Sequence, residues 1–417
     1  MRNRLTWIDV TDLVTWRGPD TGIQRVAREL TKHFARSESA RFFVYRAVDR
    51  RIKAVPGERL PFLRDTASSA PSLPRSLGAG LGAWQRRLPP SVRPAVGSLL
   101  QRARTLDAAR QIVRVHGSAA SISADDIVLL LGAPWIHSRM AALLNHQRKG
   151  DAFKLCYLIY DVAPHLFPHL FPKSHVAQFN AFLSEAIDGA DLLLTASTST
   201  GRDLARVCSS ASHHVPVKVV RLGDQLAERA AGAPVSGVVA PFLLSVGTIE
   251  VRKNHLLLYQ MYKLAEAEGI DLPPLVIVGR RGWLTDDVLY AFEHDQYVAA
   301  RVRLLHDVSD ADLAWLYQHC LFTLYPSIYE GWGLPIAESL SHGRVCVASG
   351  TSAMPEIAGD LLDYFSPFDP RGCLDMVLRF LNPDVRARKE EEIRSTYRPT
   401  SWEQTYREVQ HALRSLE

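Results

Sequence analysis

Short apolar runs alternate with longer segments of helical pattern along most of this chain. The first series of runs is LTWIDV (5–10), FFVYRAV (42–48), IVLLLG (127–132), FKLCYLIYD (153–161), DLLLTAS (191–197) and KVVRLG (218–223). The second is FLLSVG (242–247), LVIVGR (275–280), VRLLHDV (302–308), CLFTLYPS (320–327) and VCVASG (345–350). Apolar runs with helices between them are typical of parallel strands buried on both faces. The pattern predicts an α/β protein with parallel sheets in βαβ order.

The two series are separated by residues 225–241, an Ala- and Gly-rich stretch of linker composition. A chain of 417 residues also exceeds one typical core. We therefore predict two doubly wound, Rossmann-like domains of parallel sheet that face one another across a cleft, at residues 1–228 and 229–398. A helix within residues 399–417 is expected to pack back on one of them, the N-terminal domain being the candidate.

Residues 50–125 interrupt the first series and read as an insertion. Within it, residues 66–106 contain six Arg and no Asp or Glu, and apolar side chains recur there at helical spacing. Two interpretations stay open for this basic segment. It is either a flexible surface insertion or a basic, apolar patch that makes peripheral contact with an anionic membrane.

Overall composition limits the class of protein. The net charge of +5 permits anionic partners such as phosphates but does not demand nucleic acid, and none is predicted. The five cysteines have neither disulfide-framework nor metal-ligand spacing, so buried free thiols are expected. No signal peptide or membrane-spanning run is visible. We expect a cytoplasmic protein, with a position on the cytoplasmic face of a membrane left open.

The segment SVGTIEVRKNH (245–255) joins a predicted strand to a predicted helix. Ligands of open α/β sheets bind at the carboxyl ends of the strands, where this segment lies. The following helix offers free N–H groups and the positive end of its dipole, and Arg252 and Lys253 add two cations. The segment therefore predicts a diphosphate site.

The segment SIYEGWGLPIAESLSHG (327–343) is a second strand-to-helix turn. Pro335 suits the first turn of a helix, and Gly331 and Gly333 can expose backbone N–H groups to a phosphate. Glu330 and Glu338 stand on either side of the glycines, and carboxylates are natural acceptors for sugar hydroxyls. Together these features predict a site for a sugar, a diphosphate and a ribose.

These motifs resemble those of the retaining glycosyltransferases of family 4, which have the GT-B fold. The resemblance rests on two glutamates separated by seven residues around GWGLP, on SVGTIEVRKN before them and on SGTSAMPEIAGD after them. It is specific over residues 241–370. It is weaker at TGIQRVAREL (21–30), LIYDVAPHLFP (158–168), TASTSTGRDL (195–204) and VVRLGDQ (219–225), and it does not cover residues 50–125.

The resemblance implies roles for particular residues. The domain at 1–228 would bind the acceptor and that at 229–398 the nucleotide sugar. Arg252 and Lys253 would hold the donor diphosphate, and Glu330 would bind hydroxyls of the transferred sugar. Glu338 would bind the ribose. The remaining donor contacts would come from Gly22, Gly247, Thr248, Gly279, Arg280, Val308, Tyr329, Gly331, Trp332, Gly333 and Leu334.

The acceptor side departs from the family pattern. Many relatives carry His-Asp where this chain has Tyr160 and Asp161. The missing histidine is replaced either by the hydroxyl of Tyr160 or by His165 from the next turn, and Asp161 would face the acceptor. His165 also belongs to the histidine-bearing segment PHLFPHLFPKSH (164–175), which we interpret as a solvated loop rather than a zinc site because no further ligands follow.

The resemblance implies front-face transfer of a hexose, mannose being favoured, from a nucleotide-diphosphate sugar such as GDP-mannose to a glycan or polyprenyl-linked acceptor. dTDP-rhamnose and UDP-sugars stay open as donors. Fixed cations would stabilise the leaving group, so neither metal nor cofactor is expected. A catalytically idle scaffold is the competing hypothesis. A Rossmann dehydrogenase is excluded because no GxGxxG turn follows the first strand of either half.

Overall fold

The computed structural model describes residues 4–16, 21–64, 107–137, 139–209, 215–224 and 233–416. Its first sheet has seven strands in the order β3-β2-β1-β4-β5-β6-β7. β1 pairs in parallel with β2 and β4, and β4 pairs in parallel with β5, whereas β3 runs antiparallel to β2 at the edge. The strands are β1 (Thr6–Asp9), β2 (Ala40–Arg46), β3 (Arg51–Val55), β4 (Ile127–Leu130), β5 (Lys154–Ile159), β6 (Leu192–Thr195) and β7 (Val217–Val219).

The second sheet has six strands in the order β10-β9-β8-β11-β12-β13, and all of its pairings are parallel. The chain adds β9 and β10 on one side of β8, then returns to add β11 to β13 on the other side, which is the doubly wound order. The strands are β8 (Leu243–Val246), β9 (Leu275–Val278), β10 (Val302–Leu305), β11 (Thr323–Tyr325), β12 (Cys346–Ser349) and β13 (Tyr364–Phe365).

Helices connect the strands, as right-handed βαβ crossovers require. In the first half they are α1 (Thr11–Thr15), α2 (Gly22–Phe34), α3 (Pro61–Arg64), α4 (Met140–Asp151), α5 (Ala163–Leu166), α6 (Lys173–Gly189) and α7 (Thr198–Cys208), with a helical stretch at 107–115. In the second half they are α8 (His255–Ala267), α9 (Asp286–His294), α10 (Gln296–Ala299), α11 (Asp310–His319), α12 (Leu334–Ser341), α13 (Met354–Ala358), α14 (Pro370–Leu381), α15 (Pro383–Thr396) and α16 (Trp402–Arg414).

The chain divides into two compact units. The first comprises Met1–Leu158, Phe182–Leu193 and Gln410–Glu417, and the second comprises Ile159–Ala181 and Leu194–Val409. In the second unit, strands β8 and β9 pack against α11 through Phe242, Leu244, Val276 and Leu316, all of them buried. The apolar runs that predicted strands are therefore core-forming in the structure.

The predicted fold class is confirmed, and each predicted apolar run overlaps a strand. The strands are shorter than the runs because the last residues of most runs turn out of the sheet. Edge strand β3 was not predicted and lies inside the range that we assigned to an insertion. Its sequence, RIKAV, alternates charged and apolar residues, so it lacks the fully apolar signature of a central strand.

Three further predictions have different outcomes. All five cysteines are buried and free, as expected. The basic segment at 66–106 and part of the linker, at 225–232, lie outside the described residues. None of the described helices is both long and apolar enough to span a membrane.

The interpretation of PHLFPHLFPKSH as a solvated loop was wrong. This segment folds into α5, a 3₁₀ turn at Pro168–Leu170 and the start of α6. Leu170 and Phe171 are buried in a cluster with Tyr329, and Trp283 packs against it and donates its indole N–H to the carbonyl of Leu170 at 3.0 Å. The prolines and histidines made the segment look polar, but Leu170 and Phe171 form a buried face, whereas Leu166 is exposed.

Candidate active site

The second sheet brings two loops to one edge. β8 and β11 are neighbours, yet the chain leaves them toward opposite sides of the sheet, which opens a crevice at their carboxyl ends. We call residues 247–254 the β8 loop and residues 326–333 the β11 turn. Asn254, in a left-handed conformation at φ 59°, ties them together because its side-chain amide donates to the carbonyl of Pro326 at 3.0 Å. The topology thus places the two predicted motifs side by side.

A buried ion-pair network joins the loops. Lys253 Nζ lies 2.6 Å from Glu330 Oε1, and Arg252 Nη1 lies 2.7 Å from Glu330 Oε2. Arg252 also pairs with Glu250 at 2.7 Å. The Glu330 side chain is only 8% exposed, and those of both cations are also largely buried. Three of the predicted site residues therefore meet in one place.

Electrostatics fix the charge states of this network. Burial by itself would raise the pKa of Glu330, but Arg252 and Lys253 outweigh it and lower that pKa to about 2. Burial raises the pKa of Glu250, with Arg252 opposing the shift. Burial would lower the pKa of Arg252, but Glu330 and Glu250 hold it well above its usual value. Glu330 is therefore an ionised acceptor at neutral pH and not a proton donor.

The turn after β5 closes on the β11 turn. A Cβ on Gly331 would overlap the carbonyl oxygen of Tyr160, so only glycine fits there. Asp161, the next residue, accepts the backbone N–H of Ala163 at 2.9 Å. Burial raises the pKa of Asp161, and the charge of Arg252 partly counters the shift. Tyr160 and Asp161 are thus brought beside the ion-pair network, whereas His165 is exposed and lies 3.0 Å from Asn180 Oδ1.

Glu338 has a separate environment within α12. Its side chain is buried and accepts a hydrogen bond from the hydroxyl of Tyr317 at 2.7 Å. The helix begins at Leu334, directly after Gly333, which has a φ of +137°. Glu338 is therefore held in a defined orientation on the helix that follows the β11 turn.

The other predicted donor residues surround these loops or lie elsewhere. A Cβ on Gly279 would overlap the carbonyl oxygen of Gly247, so the ends of β8 and β9 approach closely there. Arg280 is partly buried, and burial lowers its pKa. Val308 packs on the core cluster of α11. Gly22, which begins α2, belongs to the other unit.

Trp332 is buried between the two glycines of the β11 turn. The guanidinium of Arg221 lies 5.6 Å from the centre of its ring. The indole Nε1 is buried and has no hydrogen-bond partner among the described residues. Trp332 therefore acts through packing in this structure.

Sequence reasoning missed several members of the site. Glu250 stands two residues before Arg252, and an acid beside a predicted cation was the signal that could have found it. Tyr325, whose hydroxyl accepts from Lys253 at 2.8 Å, gave no such signal because it lies inside a strand. Among the described residues, no group of three or more His, Cys, Asp or Glu side chains is arranged to hold a metal ion.

A family model described as glycosyl transferases group 1 matches residues 236–368, which include the β8 loop, the β11 turn and Glu338. Residues 236–368, about a third of the chain, therefore match the group 1 glycosyltransferases. The predicted family resemblance is thereby confirmed over the part of the chain that carries Arg252, Lys253 and Glu330.

Two curated proteins that this chain resembles come from Escherichia coli. The chain is 32% identical over 231 residues to O-antigen chain mannosyltransferase B, covering 54% of this chain and 60% of that protein. It is 26% identical over 260 residues to the serotype-specific mannosyltransferase WbdA, covering 58% of this chain and 32% of that protein. The matched region thus spans less than two thirds of each relative.

Among solved structures, the sucrose-phosphate synthase from Thermosynechococcus elongatus is similar with a TM-score of 0.60 at 16% identity. The similarity covers 100% of this chain and 99% of that one. At this identity the likeness concerns the fold alone. Together with the two doubly wound sheets, it assigns the GT-B fold to this chain.

Proposed function

We propose that this protein is a retaining glycosyltransferase of surface polysaccharide biosynthesis. It moves a hexose, with mannose favoured, from a nucleotide-diphosphate sugar, with GDP-mannose favoured, to a glycan or lipid-linked oligosaccharide. The observation that carries the proposal is the Arg252–Lys253–Glu330 network at the crevice of the second sheet, inside the region that matches the group 1 glycosyltransferases. The mannosyltransferase names of the relatives support the choice of sugar.

The network supplies the charges that such a transfer needs. The donor diphosphate would pair with Arg252 and Lys253, in competition with Glu330, and the two cations would stabilise it as it departs. The freed carboxylate of Glu330, ionised at neutral pH, would accept hydrogen bonds from hydroxyls of the transferred sugar. Glu338 would do the same for the ribose. We propose that this arrangement needs no metal ion.

We propose the front-face reaction that the family resemblance implies. The bond between the anomeric carbon and the diphosphate oxygen breaks, and the bond to the acceptor oxygen forms on the same face of the sugar. The acceptor proton passes to the departing phosphate. Asp161, beside Arg252 and with a raised pKa, would face the acceptor side, with Tyr160 next to it.

The lipid-linked form of the acceptor implies a place of action. We propose that the protein works in the cytoplasm at the inner face of the plasma membrane, with the basic segment at 66–106 in contact with anionic lipid. Deleting residues 66–106 would then weaken sedimentation with anionic vesicles. Unchanged partitioning would favour the flexible-insertion interpretation.

A donor screen tests the function. Release of nucleotide is measured with GDP-mannose, dTDP-rhamnose and UDP-sugars, and thermal stability is measured with GDP, dTDP and UDP. A nucleotide at about 100 times its Kd should stabilise the fold by about 2.7 kcal/mol. We expect GDP to raise the thermal stability and GDP-mannose to release its nucleotide. EDTA should not change that release. NMR of the product should show the same anomeric configuration as in the donor. If none of the nucleotides stabilises the fold, the protein does not bind a nucleotide-sugar donor. That result would refute the proposed glycosyltransferase and also a scaffold that binds a sugar nucleotide.

A further inference from the structure

A pocket with a volume of about 360 Å³ lies next to the ion-pair network, entirely within the second unit. None of the predicted acceptor-side residues lines it. Its walls come from the β11 turn, from α7, from the loop before α13 and from residue 368. Six of the residues that line it are Phe167, Ser199, Arg202, Asp203, Tyr329 and Phe368.

Two of its walls also contact the reacting region. Tyr329 precedes Glu330 in the chain, and its carbonyl accepts a hydrogen bond from Arg252 Nη1 at 2.6 Å. The hydroxyl of Ser352 accepts the backbone N–H of Glu330 at 2.8 Å. The pocket wall is therefore bonded directly to Arg252 and to the backbone of Glu330, whose carboxylate is the proposed sugar-binding group.

The pocket is held rigid by hydrogen bonds. The carboxylate of Glu356 accepts the N–H groups of Thr198 and Ser199, at 2.7 and 2.6 Å, and so caps the start of α7. The hydroxyl of Tyr329 donates to Asp203 Oδ2 at 2.7 Å, which fixes the middle of α7 to the β11 turn. A preformed site of this kind loses little conformational entropy when it binds a ligand.

The lining has the chemistry of a sugar site. Phe368 is 76% exposed and, with Phe167, offers aromatic surface to the apolar C–H face of a pyranose ring. Arg202 is exposed and has no hydrogen bond or ion pair to any described residue, so its planar guanidinium is available to two neighbouring hydroxyls. Ser199 and Thr351 add hydroxyl groups at the wall.

The charge balance disfavours a phosphate ligand. Asp203 lies in the same wall and pairs with Arg206 at 3.4 Å, so one of the two arginines is already neutralised. A phosphate would also have to approach the Asp203 carboxylate. A neutral polyol needs no unpaired arginine and is not repelled by the Asp203 carboxylate. It can also contact both the aromatic and the polar walls.

We propose that this pocket binds the acceptor, specifically the terminal neutral pyranose to which the hexose is added. The proposal rests on the proposed transferase function, whose acceptor it defines as a glycan recognised through its last one or two sugars. A volume near the lower end of the range for small-ligand pockets, roughly 300–1,000 Å³, suits a ligand of that size. Phe368 and Arg202 would then determine acceptor specificity.

Binding of simple sugars to the full-length protein tests the pocket without any turnover. Saturation-transfer NMR is recorded with the methyl glycosides of mannose, glucose, galactose and N-acetylglucosamine, in the presence of saturating GDP. We expect at least one glycoside to bind. Phe368→Ala should weaken that binding about tenfold, the usual effect of removing an aromatic anchor, and Arg202→Ala should weaken it severalfold.

Matched surface variants control for general effects. Tyr290→Ala removes a 64% exposed aromatic residue of α9, and Arg407→Ala removes a surface arginine of α16. Both should bind the sugar as the wild type does. In turnover assays Phe368→Ala should raise the acceptor KM about tenfold while the donor KM stays constant.

Any of three outcomes would overturn the pocket assignment. The first is that no glycoside binds, and the second is that the bound glycoside is insensitive to both Phe368→Ala and Arg202→Ala. Displacement of the sugar by millimolar inorganic phosphate would also overturn it, since the site would then be anionic. The transferase proposal is judged separately, by nucleotide-induced thermal stabilisation. Failure of the pocket and failure of the function are therefore distinguishable.

Discussion

Glu330 lies between two cations, and this position determines how it responds to pH. Its pKa is lowered to about 2 from an ordinary 4.5, so it contributes stability above pH 4.5 that is lost as the pH falls toward 2. At any pH at which the protein is assayed the carboxylate is ionised. An acid limb in a rate profile above about pH 4 would therefore come from another group.

Lys253 is the cation whose removal separates charge stabilisation from folding. Lys253→Ala should lower kcat/KM for transfer by about 10² to 10³, because one fixed charge on the leaving diphosphate is lost. The variant should stay folded because Arg252 still pairs with Glu330, but its thermal midpoint should fall because Glu330 has lost one of its two cations. Nucleotide release measures the effect, with Lys263→Ala on the surface of α8 as control. Near-normal turnover would overturn the role of Lys253.

Asp9, at the end of β1, should make the free energy of unfolding depend on pH. Burial raises its pKa to about 6, with the neighbouring charge of Asp12 adding to the shift and hydrogen bonds from Thr11 opposing it. A raised carboxyl pKa stabilises the fold fully below pH 3.8, and this stabilisation is lost as the pH rises through 6. The loss amounts to about 3 kcal/mol.

Asp9→Asn should remove that dependence, because the amide oxygen can still accept from Thr11 but carries no charge. Urea unfolding between about pH 4 and 7 measures it. The slope should flatten in Asp9→Asn and persist in Asp188→Asn, which changes a carboxylate of α6. Equal slopes in all three proteins would show that Asp9 does not titrate in this range.

At the scale of elements, α7 is held by its capping carboxylate. Glu356→Ala should destabilise the protein by about 1–2 kcal/mol, the usual cost of losing a helix cap, and should raise the acceptor KM because the pocket wall shifts. Glu356→Gln should recover part of both. Ser309→Ala removes the capping box of α11 and should cost similar stability with no change in acceptor KM. If Glu356→Ala and Ser309→Ala raise the acceptor KM equally, the rise comes from the loss of stability and not from a shift of the pocket wall.

The β11 turn depends on a glycine for a tertiary reason. Gly331→Ala forces a methyl group into the carbonyl oxygen of Tyr160, so we expect a loss of about 1–3 kcal/mol in the free energy of unfolding. Gly150→Ala is the matched control, because a Cβ there meets no atom within 4 Å and the residue lies in helix α4. The control should be neutral or more stable by up to about 1 kcal/mol. Equal unfolding curves for both variants would contradict the predicted clash.

The thiols report on the whole molecule, since they lie in both units and all five are buried. Burial raises the pKa of each of them, so little thiolate is present at neutral pH. Reagents also have poor access to the buried sulfur atoms, so the native thiols should react slowly. Native protein should show almost no fast reaction with a thiol reagent such as DTNB, and protein in guanidinium should show five equivalents. One fast native thiol would reveal local opening around that cysteine.

The sequence alone determined the fold class and the position of the two central motifs. Apolar runs specify strands through their own composition, and parallel strands place their following loops at one edge. The β8 loop and the β11 turn could therefore be assigned to a common site from the order of motifs along the chain. Edge strand β3 and the buried face of PHLFPHLFPKSH escaped this reasoning because their apolar residues are mixed with charges, prolines and histidines.

Only the tertiary structure decided which side chains meet. Lys253 and Glu330 are 77 positions apart, and nothing in either motif states that the carboxylate neutralises both cations. The same holds for Gly331 against Tyr160, and for the pocket that Phe368, Arg202 and Tyr329 line together. Periodicity encodes the local path of the backbone, whereas these contacts depend on how distant elements pack. That packing is a property of the whole chain, so the charge network and the pocket emerge only in the folded molecule.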